Sequence, residues 1–316
     1  MRFIDMFCGI GGFRLGLERA NTAKQESGEV EQATSSITGQ RNRRRVQPIY
    51  RCVWSNDSDK YACSIYRKHF GEVREGDIRA VDADTIPEHD LLCAGFPCQS
   101  FSIAGKRRGF EDTRGTLFFE ICRILRAKRP RVLFLENVKG LLSHDEGNTF
   151  QAILQSLDEL GYDLQWQVLN SKDSGVPQNR ERVFIIGHSR NQPRPKVFPL
   201  REGNGLVFEE GAGLQSIRFS SLRSSDYKGT HNLIGEVANS IDANYYKGLD
   251  CHQQRSGVVL YDRIRRLTPI ECERLQGFPD NWTAGISDSQ RYKCLGNAVS
   301  VPVIEAIGRQ LMEFNG

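Results

Sequence analysis

No apolar run in this chain reaches the 18 or more residues a membrane span needs, which excludes a helical membrane protein. No two cysteines form a CxxC pair, and the nine present are an odd, irregularly spaced set. A disulfide scaffold is therefore disfavoured, and a reduced, cytoplasmic protein is expected. The N-terminus, MRFIDMFCG, enters a strand at once and leaves no room for a signal peptide. Internal repeats are absent, and so is a strong charge of one sign: the net charge of +4 permits a nucleic-acid partner without demanding one. What is present fits a globular protein, with 39% hydrophobic and 26% charged residues. A chain of 316 residues suffices for one large domain, or a large and a small one.

Strand-like and helix-like segments alternate through the first 190 residues. Strands are expected at Arg2–Met6, Tyr50–Asn56, Asp90–Ala94, Val132–Glu136, Leu164–Leu169 and Val183–Gly187. Helices are expected at Gly12–Ala20, Asp59–Phe70, Leu117–Lys128 and Thr149–Leu160, the last ended by Gly161. That alternation predicts an α/β fold, a mostly parallel sheet with helices on both faces. Residues 21–47 are polar and nearly free of large apolar side chains, and read as a disordered insertion. The arginines Arg41, Arg43, Arg44 and Arg45 within it read as a solvated charge run rather than a phosphate contact. From residue 190 the chain turns proline- and glycine-rich, predicting a small domain of irregular and β structure. Near the end, Thr268–Leu275 reads as a capped helix with Pro269 in its first turn, and Val301–Met312 as a helix packing back on the large domain.

Chemistry concentrates at expected strand ends. In DLLCAGFPCQSFS, residues 90–102, an apolar strand breaks at Gly95, and Pro97 stiffens the backbone just before Cys98. Open α/β sheets place their ligands at that carboxyl edge. A second strand, Val132–Leu135, delivers Glu136 and Asn137 to the same edge. One thiol and one carboxylate at neighbouring strand ends point to nucleophilic attack assisted by an acid. The turn FCGIGG holds Gly9, Gly11 and Gly12, which permit close backbone approach to a ligand. Taken alone it is a weak signal, since a tight turn with no ligand is the competing reading. Asp57, after the second strand, is a candidate grip for ribose hydroxyls. Discounting residues 21–47, it lies about 18 residues beyond Gly12, near the roughly 20 of a dinucleotide-binding unit. Asp77, before Ile78, is placed to reach an adenine amino group or is simply a loop carboxylate.

Taken together, these residues resemble one family. DMFCGIGG, GDI, GFPCQSFS, ENV, QNRERV, RRLTPIECERLQGFP and GNAVSVP occur in order from residue 5 to residue 302. The chain resembles DNA (cytosine-5) methyltransferases of the bacterial restriction–modification type. The resemblance implies a Rossmann-like sheet that uses S-adenosylmethionine, releases S-adenosylhomocysteine and needs no metal. It divides the chain into a catalytic domain over residues 1–189 and 290–316, and a target-recognition domain with its hinge over residues 190–289. It further implies duplex DNA as partner, a cognate endonuclease acting separately, a monomer, and a bacterial cytoplasmic setting.

The implied chemistry explains the residue types. Carbon 5 of cytosine is too poor a nucleophile to take a methyl group unaided. A thiolate adding to carbon 6 turns the ring into an enamine whose carbon 5 is electron-rich. The resemblance makes Cys98 that nucleophile and Glu136 the partner of ring nitrogen 3, with Arg182 and Arg180 near the cytosine carbonyl and Cys98. Acting as an acid requires Glu136 to hold a proton at a raised pKa. Phe7, Gly9, Ile10, Gly11, Gly12, Asp57, Ser58, Asp77, Ile78, Pro97, Leu117, Asn297 and Ala298 are the implied cofactor pocket. Glu is common in the family where Asp57 stands, so the ribose grip is one methylene shorter. Ser58 replaces a side chain that stacks on adenine in some members, and both departures favour weaker cofactor binding.

A cytosine inside a duplex must leave the stack to be attacked. The resemblance makes Gln99–Arg114 a mobile loop closing on DNA, with Gln99, Ser102, Lys106, Arg107 and Arg108 as its contacts. SIDANYYKG, residues 240–248, resembles the target-recognition signature, with Ser240-Ile241 in place of Thr-Leu or Thr-Val. Cys8, Cys52, Cys63, Cys93, Cys122, Cys272 and Cys294 read as packing residues. Cys251-His252 lacks the second ligand pair a zinc site requires. Three alternatives compete: the same chemistry on transfer RNA, a catalytically silent DNA-binding module, and a nicotinamide-dependent oxidoreductase. The last has no use for ENV or the prolyl-cysteine.

Overall fold

Alternation along Phe3-Ile4-Asp5-Met6, all four buried in β1 (Arg2–Met6), assigns Ile4 and Met6 to one core and Phe3 to another. The computed structural model describes residues 1–21, 49–97, 117–190, 196–198, 200, 219–220, 238–247, 257–260 and 263–313. Apart from Asn21, the expected insertion lies outside them. Its base is closed where Asn21 exchanges side-chain hydrogen bonds with both the N–H and the carbonyl of Tyr50.

β1 pairs in parallel with β2 (Arg51–Asp57) and with β4 (Leu91–Gly95). β2 carries the two-residue β3 (Arg74–Glu75), and β4 carries β5 (Val132–Val138), both in parallel. Next to β5 comes β8 (Glu181–Ser189), antiparallel, and outside it β6 (Tyr162–Asn170), antiparallel to β8. The sheet order is β3-β2-β1-β4-β5-β8-β6. The chain leaves β1 toward β2 and returns beside it as β4, so the strand order reverses between β1 and β4. Open α/β sheets bind their ligands beyond the carboxyl ends of the strands at such a switch point.

Helices cover both faces. Helix α1 (residues 12–21) packs Phe13, Leu17 and Ala20 under the sheet with α7 (Val301–Glu313), against Phe3, Phe134 and Phe184. On the opposite face α3 (Leu117–Lys128) and α4 (Asn148–Glu159) meet Ile4, Leu92, Leu133 and Ile185. Leu133, Phe134 and Leu135 are fully buried, each contributing roughly 1.5–3 kcal/mol of transfer free energy. Gly161 follows α4 with φ +90° and donates its N–H to Asp158, as its expected role at the helix end requires.

A third cluster joins α2 (Lys60–Phe70), α5 (Pro269–Leu275) and α6 (Asp288–Asn297) to Ile10 of the glycine turn. Thr268 and Glu271 form a capping box at α5, with Pro269 in the first turn. Beyond the main sheet, β7 (Gln178–Asn179) pairs with β10 (Ala238–Asn239). β11 (Gly257–Leu260) lies between β9 (Phe219–Ser220) and β12 (Arg263–Arg266), antiparallel to both. The architecture is the expected one: an α/β sheet covered on both faces, with short β structure beside it. No helix among the described residues is long and apolar enough to cross a membrane.

Candidate active site

The carboxyl edges of β1, β2, β4 and β5 carry the residues singled out in the sequence. After Met6 the chain turns back through Phe7 at φ +55°, Gly9 at +53° and Gly11 at +87°. Asp57 ties this turn to β2: one carboxyl oxygen accepts the Gly9 N–H at 2.8 Å, the other the Asp59 N–H at 2.8 Å. Burial pushes the Asp57 carboxyl up, opposed by those two main-chain donors. The glycines serve different ends. A methyl group on Gly11 would stand 2.2 Å from the Phe70 ring, whereas one on Gly9 would meet nothing within 4 Å. Gly9 thus faces open space bordered by a carboxylate, a cradle that fits a ribose-bearing ligand.

Phe7 and Leu117 both pack against the core cluster to which Ile78 belongs. Ile10 and Ala298 share the α2–α5–α6 cluster. Ser58, Pro97 and Asn297 are exposed. Asp77 is exposed too; it caps a short turn and pairs with Arg79 at 2.5 Å, which holds its carboxyl below the usual range.

Glu136 lies near the end of β5, one residue before the buried part of the strand finishes at Asn137, in register with Gly95 of β4 and Phe184 of β8. It is 8% exposed, and its Oε1 lies 3.2 Å from Nε of Arg182. Gly95 lies beside it: a methyl group there would be in ordinary contact, 3.4 Å from Glu136 Oε2. Burial raises the Glu136 carboxyl, and the charges of Arg182 and Arg180 offset this in part. A carboxyl whose affinity for a proton is raised by burial, yet held in place by a guanidinium, is suited to hydrogen-bond a ligand.

Arg180 and Arg182 have different environments. Arg182 faces Glu136 and donates from Nη1 to the Glu181 carbonyl. Arg180 is 2% exposed and donates to Ser240 Oγ, and to the carbonyls of Ile241, Gly296 and Ala298, at 2.8–3.2 Å. Two expected contacts, Ser240 and Ile241, therefore meet Arg180, Ile241 itself being buried. Cys98, Gln99, Ser102, Lys106, Arg107 and Arg108 lie outside the described residues, which reach Pro97 on one side and resume at Leu117.

Two contributions went unread in the sequence: the task of Asn137, which was placed at the edge but given no role, and the whole of Trp282. Asn137, 2% exposed, donates its amide to the Phe96 carbonyl at 2.9 Å. It thereby ties β5 to the turn that leads into Cys98. Its place in ENV beside Glu136 was the available signal. Trp282 donates its indole N–H to the Ile10 carbonyl at 3.0 Å and stacks on His69 with centroids 3.6 Å apart. Lying 272 residues away in sequence, it left no local signal. The seven described cysteines are free thiols, and among the described residues no group of three or more His, Cys, Asp or Glu could hold a metal ion.

Comparison with known proteins shows the family and the fold. The model of the C-5 cytosine-specific DNA methylases matches residues 1–204 and 207–313. The chain is 41% identical to type II methyltransferase M.NgoBI of Neisseria gonorrhoeae, covering 96% of this chain and 90% of the relative. It is 37% identical to M.HhaI of Haemophilus parahaemolyticus, covering 97% and 93%. Among solved structures, S. pombe Dnmt2 methyltransferase superposes with a TM-score of 0.72 at 20% identity, over the whole of both chains.

Proposed function

The chain belongs to the C-5 cytosine-specific DNA methylase family and is a DNA (cytosine-5)-methyltransferase of the type II kind, and from that premise we propose its target and its chemistry. It methylates a cytosine swung out of duplex DNA at one short sequence, through a transient bond to Cys98. It acts as a monomer in the bacterial cytoplasm, separately from any cognate endonuclease. The observation that carries this reading is Glu136, buried near the end of β5 beside Gly95 and paired with Arg182 at 3.2 Å, its carboxyl pushed up by burial.

S-adenosylmethionine supplies a methyl group made electrophilic by its sulfonium. The turn from Phe7 to Gly12 would hold it, with Asp57 at the ribose, Asp77 and Ile78 toward the base, and Pro97, Leu117, Asn297 and Ala298 closing the pocket. The Cys98 thiolate adds to carbon 6 of the cytosine. Glu136 donates a hydrogen bond to nitrogen 3, where charge accumulates as the sulfur adds. Arg182 orients Glu136 and keeps it from drifting out of the ring plane. Asn137, gripping Phe96, fixes the turn that presents the thiol. Once carbon 5 carries its new methyl, loss of the carbon 5 proton to a base and departure of the thiolate restore the aromatic ring.

The test incubates the protein with labelled S-adenosylmethionine and either duplex DNA or transfer RNA, followed by bisulfite mapping. Label is expected in DNA at one short motif and is expected to vanish in Cys98→Ala. Label in RNA alone would overturn the substrate assignment. Placing 5-fluorocytosine in the mapped site blocks proton loss, so a denaturation-resistant adduct through Cys98 should accumulate. Turnover on the ordinary site without any adduct on the fluorinated one would reject the covalent route.

A further inference from the structure

Arg180 has five N–H donors, and the four on its two terminal nitrogens each have an acceptor: Ser240 Oγ and the Ile241 carbonyl for one nitrogen, the Gly296 and Ala298 carbonyls for the other. None remains on those nitrogens for a cytosine. The side chain is 2% exposed and, among the described residues, hydrogen-bonds to no carboxylate, so main-chain dipoles hold this cation in place. Its own backbone is fixed as well. Asn170 accepts the Arg180 N–H at 3.0 Å, and the Arg180 carbonyl accepts the Ser171 N–H at 3.0 Å.

The segments joined by Arg180 also meet without it. A methyl group on Gly296 would stand 2.2 Å from the main-chain carbon of Asp242 and 2.3 Å from the nitrogen of Ala243. The end of α6 therefore lies backbone to backbone against residues 242–243, with no side chain between them. Any shift of residues 240–243 must move Gly296 or break this contact. Gly296 and Ala298 flank Asn297, at the border of the cofactor pocket. Two residues along the chain from Arg180, Arg182 holds Glu136.

We infer that Arg180 is a positioning residue that couples the seat of the recognition segment to the cofactor pocket, so that target duplex and cofactor bind cooperatively through this one side chain. The inference rests on the methyltransferase reading and extends it. Residues 240–241 take their position from whatever the recognition segment engages. Residues 296 and 298 take theirs from the same guanidinium, so each ligand is stabilised by the order the other imposes. Coupling of this kind is reciprocal and usually amounts to about 5–150-fold in affinity.

The experiment titrates S-adenosylhomocysteine calorimetrically into the full chain, alone and saturated with a duplex carrying the mapped methylation site. In the unaltered protein the duplex should tighten binding about tenfold. In Arg180→Lys, whose ammonium cannot span four acceptors in a planar fork, the ratio should fall to within about twofold of unity. A tenfold ratio that survives Arg180→Lys, or a ratio of one in the unaltered protein, overturns the inference. Where Arg180→Lys does not fold by circular dichroism, Ser240→Ala removes one bond at a partly exposed side chain and should lower the ratio to about threefold. An unchanged ratio there is equally fatal. Failure of the unaltered protein to bind S-adenosylhomocysteine at all would instead sink the methyltransferase reading, a result separable from loss of coupling.

Discussion

Asp5 sits in the centre of the main sheet, fully buried, with neither carboxyl oxygen in a well-formed hydrogen bond. Burial pushes its carboxyl up to about 8; Arg14 opposes the shift and Asp57 adds to it. The sign follows from where the proton resides. The folded chain keeps it up to about pH 8, whereas the unfolded chain releases it near 3.8. Across that window rising pH favours the unfolded state, by about 1.4 kcal/mol per pH unit. By pH 7 the accumulated loss approaches about 4 kcal/mol, a sizeable fraction of a typical domain's stability. Asp5→Asn keeps the shape and has no proton to release. Its urea-unfolding free energy, followed by tryptophan fluorescence from pH 5 to pH 8, should be flatter than that of the unaltered chain by nearly the full slope. At pH 5 the two should lie within about 1–2 kcal/mol, because an amide and a carboxylic acid are similarly costly to bury there. At pH 8 the variant should be clearly the more stable. Parallel curves would mean that Asp5 is charged in the fold, and the argument from burial would be wrong.

Glu136→Gln leaves a hydrogen-bonding group of the same shape that cannot yield a proton, so single-turnover methylation should slow by about 10²–10⁴-fold while the thermal midpoint barely moves. A rate within threefold of normal would remove Glu136 from the chemistry. Asn137→Ala frees the Phe96 carbonyl and lets the turn before Cys98 wander; we expect the rate to fall by about 10²-fold with little change in S-adenosylhomocysteine affinity, read by rapid quench and calorimetry. Gly11→Ala combines a left-handed backbone with a methyl group driven into Phe70, and should cost about 2–4 kcal/mol in urea unfolding. Wild-type stability in that variant would show that the turn can relax.

Much of the fold is legible because the central strands are buried on both faces. Leu91–Ala94 and Val132–Leu135 are unbroken apolar runs, and only a covered parallel strand tolerates such a sequence. The neighbour of β5 is harder to foresee. β8 follows β6 in the chain yet lies inside it. The contrast was nonetheless present: Val183–Gly187 is continuously apolar, whereas Tyr162–Asn170 mixes Gln165, Trp166 and Gln167 into an edge strand, with Trp166 46% exposed. Helix α6 escaped because Tyr292, Cys294, Leu295 and Gly296 form no regular stripe; it is buried by contacts with other segments, not by its own pattern. At the site, Glu136 and Arg182 were readable as a motif, and their meeting at 3.2 Å follows from β8 lying beside β5. The burial of Arg180 was not readable, since its four acceptors lie 60 to 118 residues away and three of them are main-chain atoms.

The antiparallel course of β8 also bears on how such a protein acquires new specificities. Because β8 runs against its neighbours, its first residues stand at the reactive rim and its last, Ser189, on the far side of the molecule. The chain must come back, and Ala238 re-enters beside Gln178 at the rim. Both moorings of the intervening stretch are thus set by the framework, whatever length or composition lies between them. If, as proposed, that stretch reads the target, it can be rewritten while the strands that position Glu136 and Arg182 keep their places.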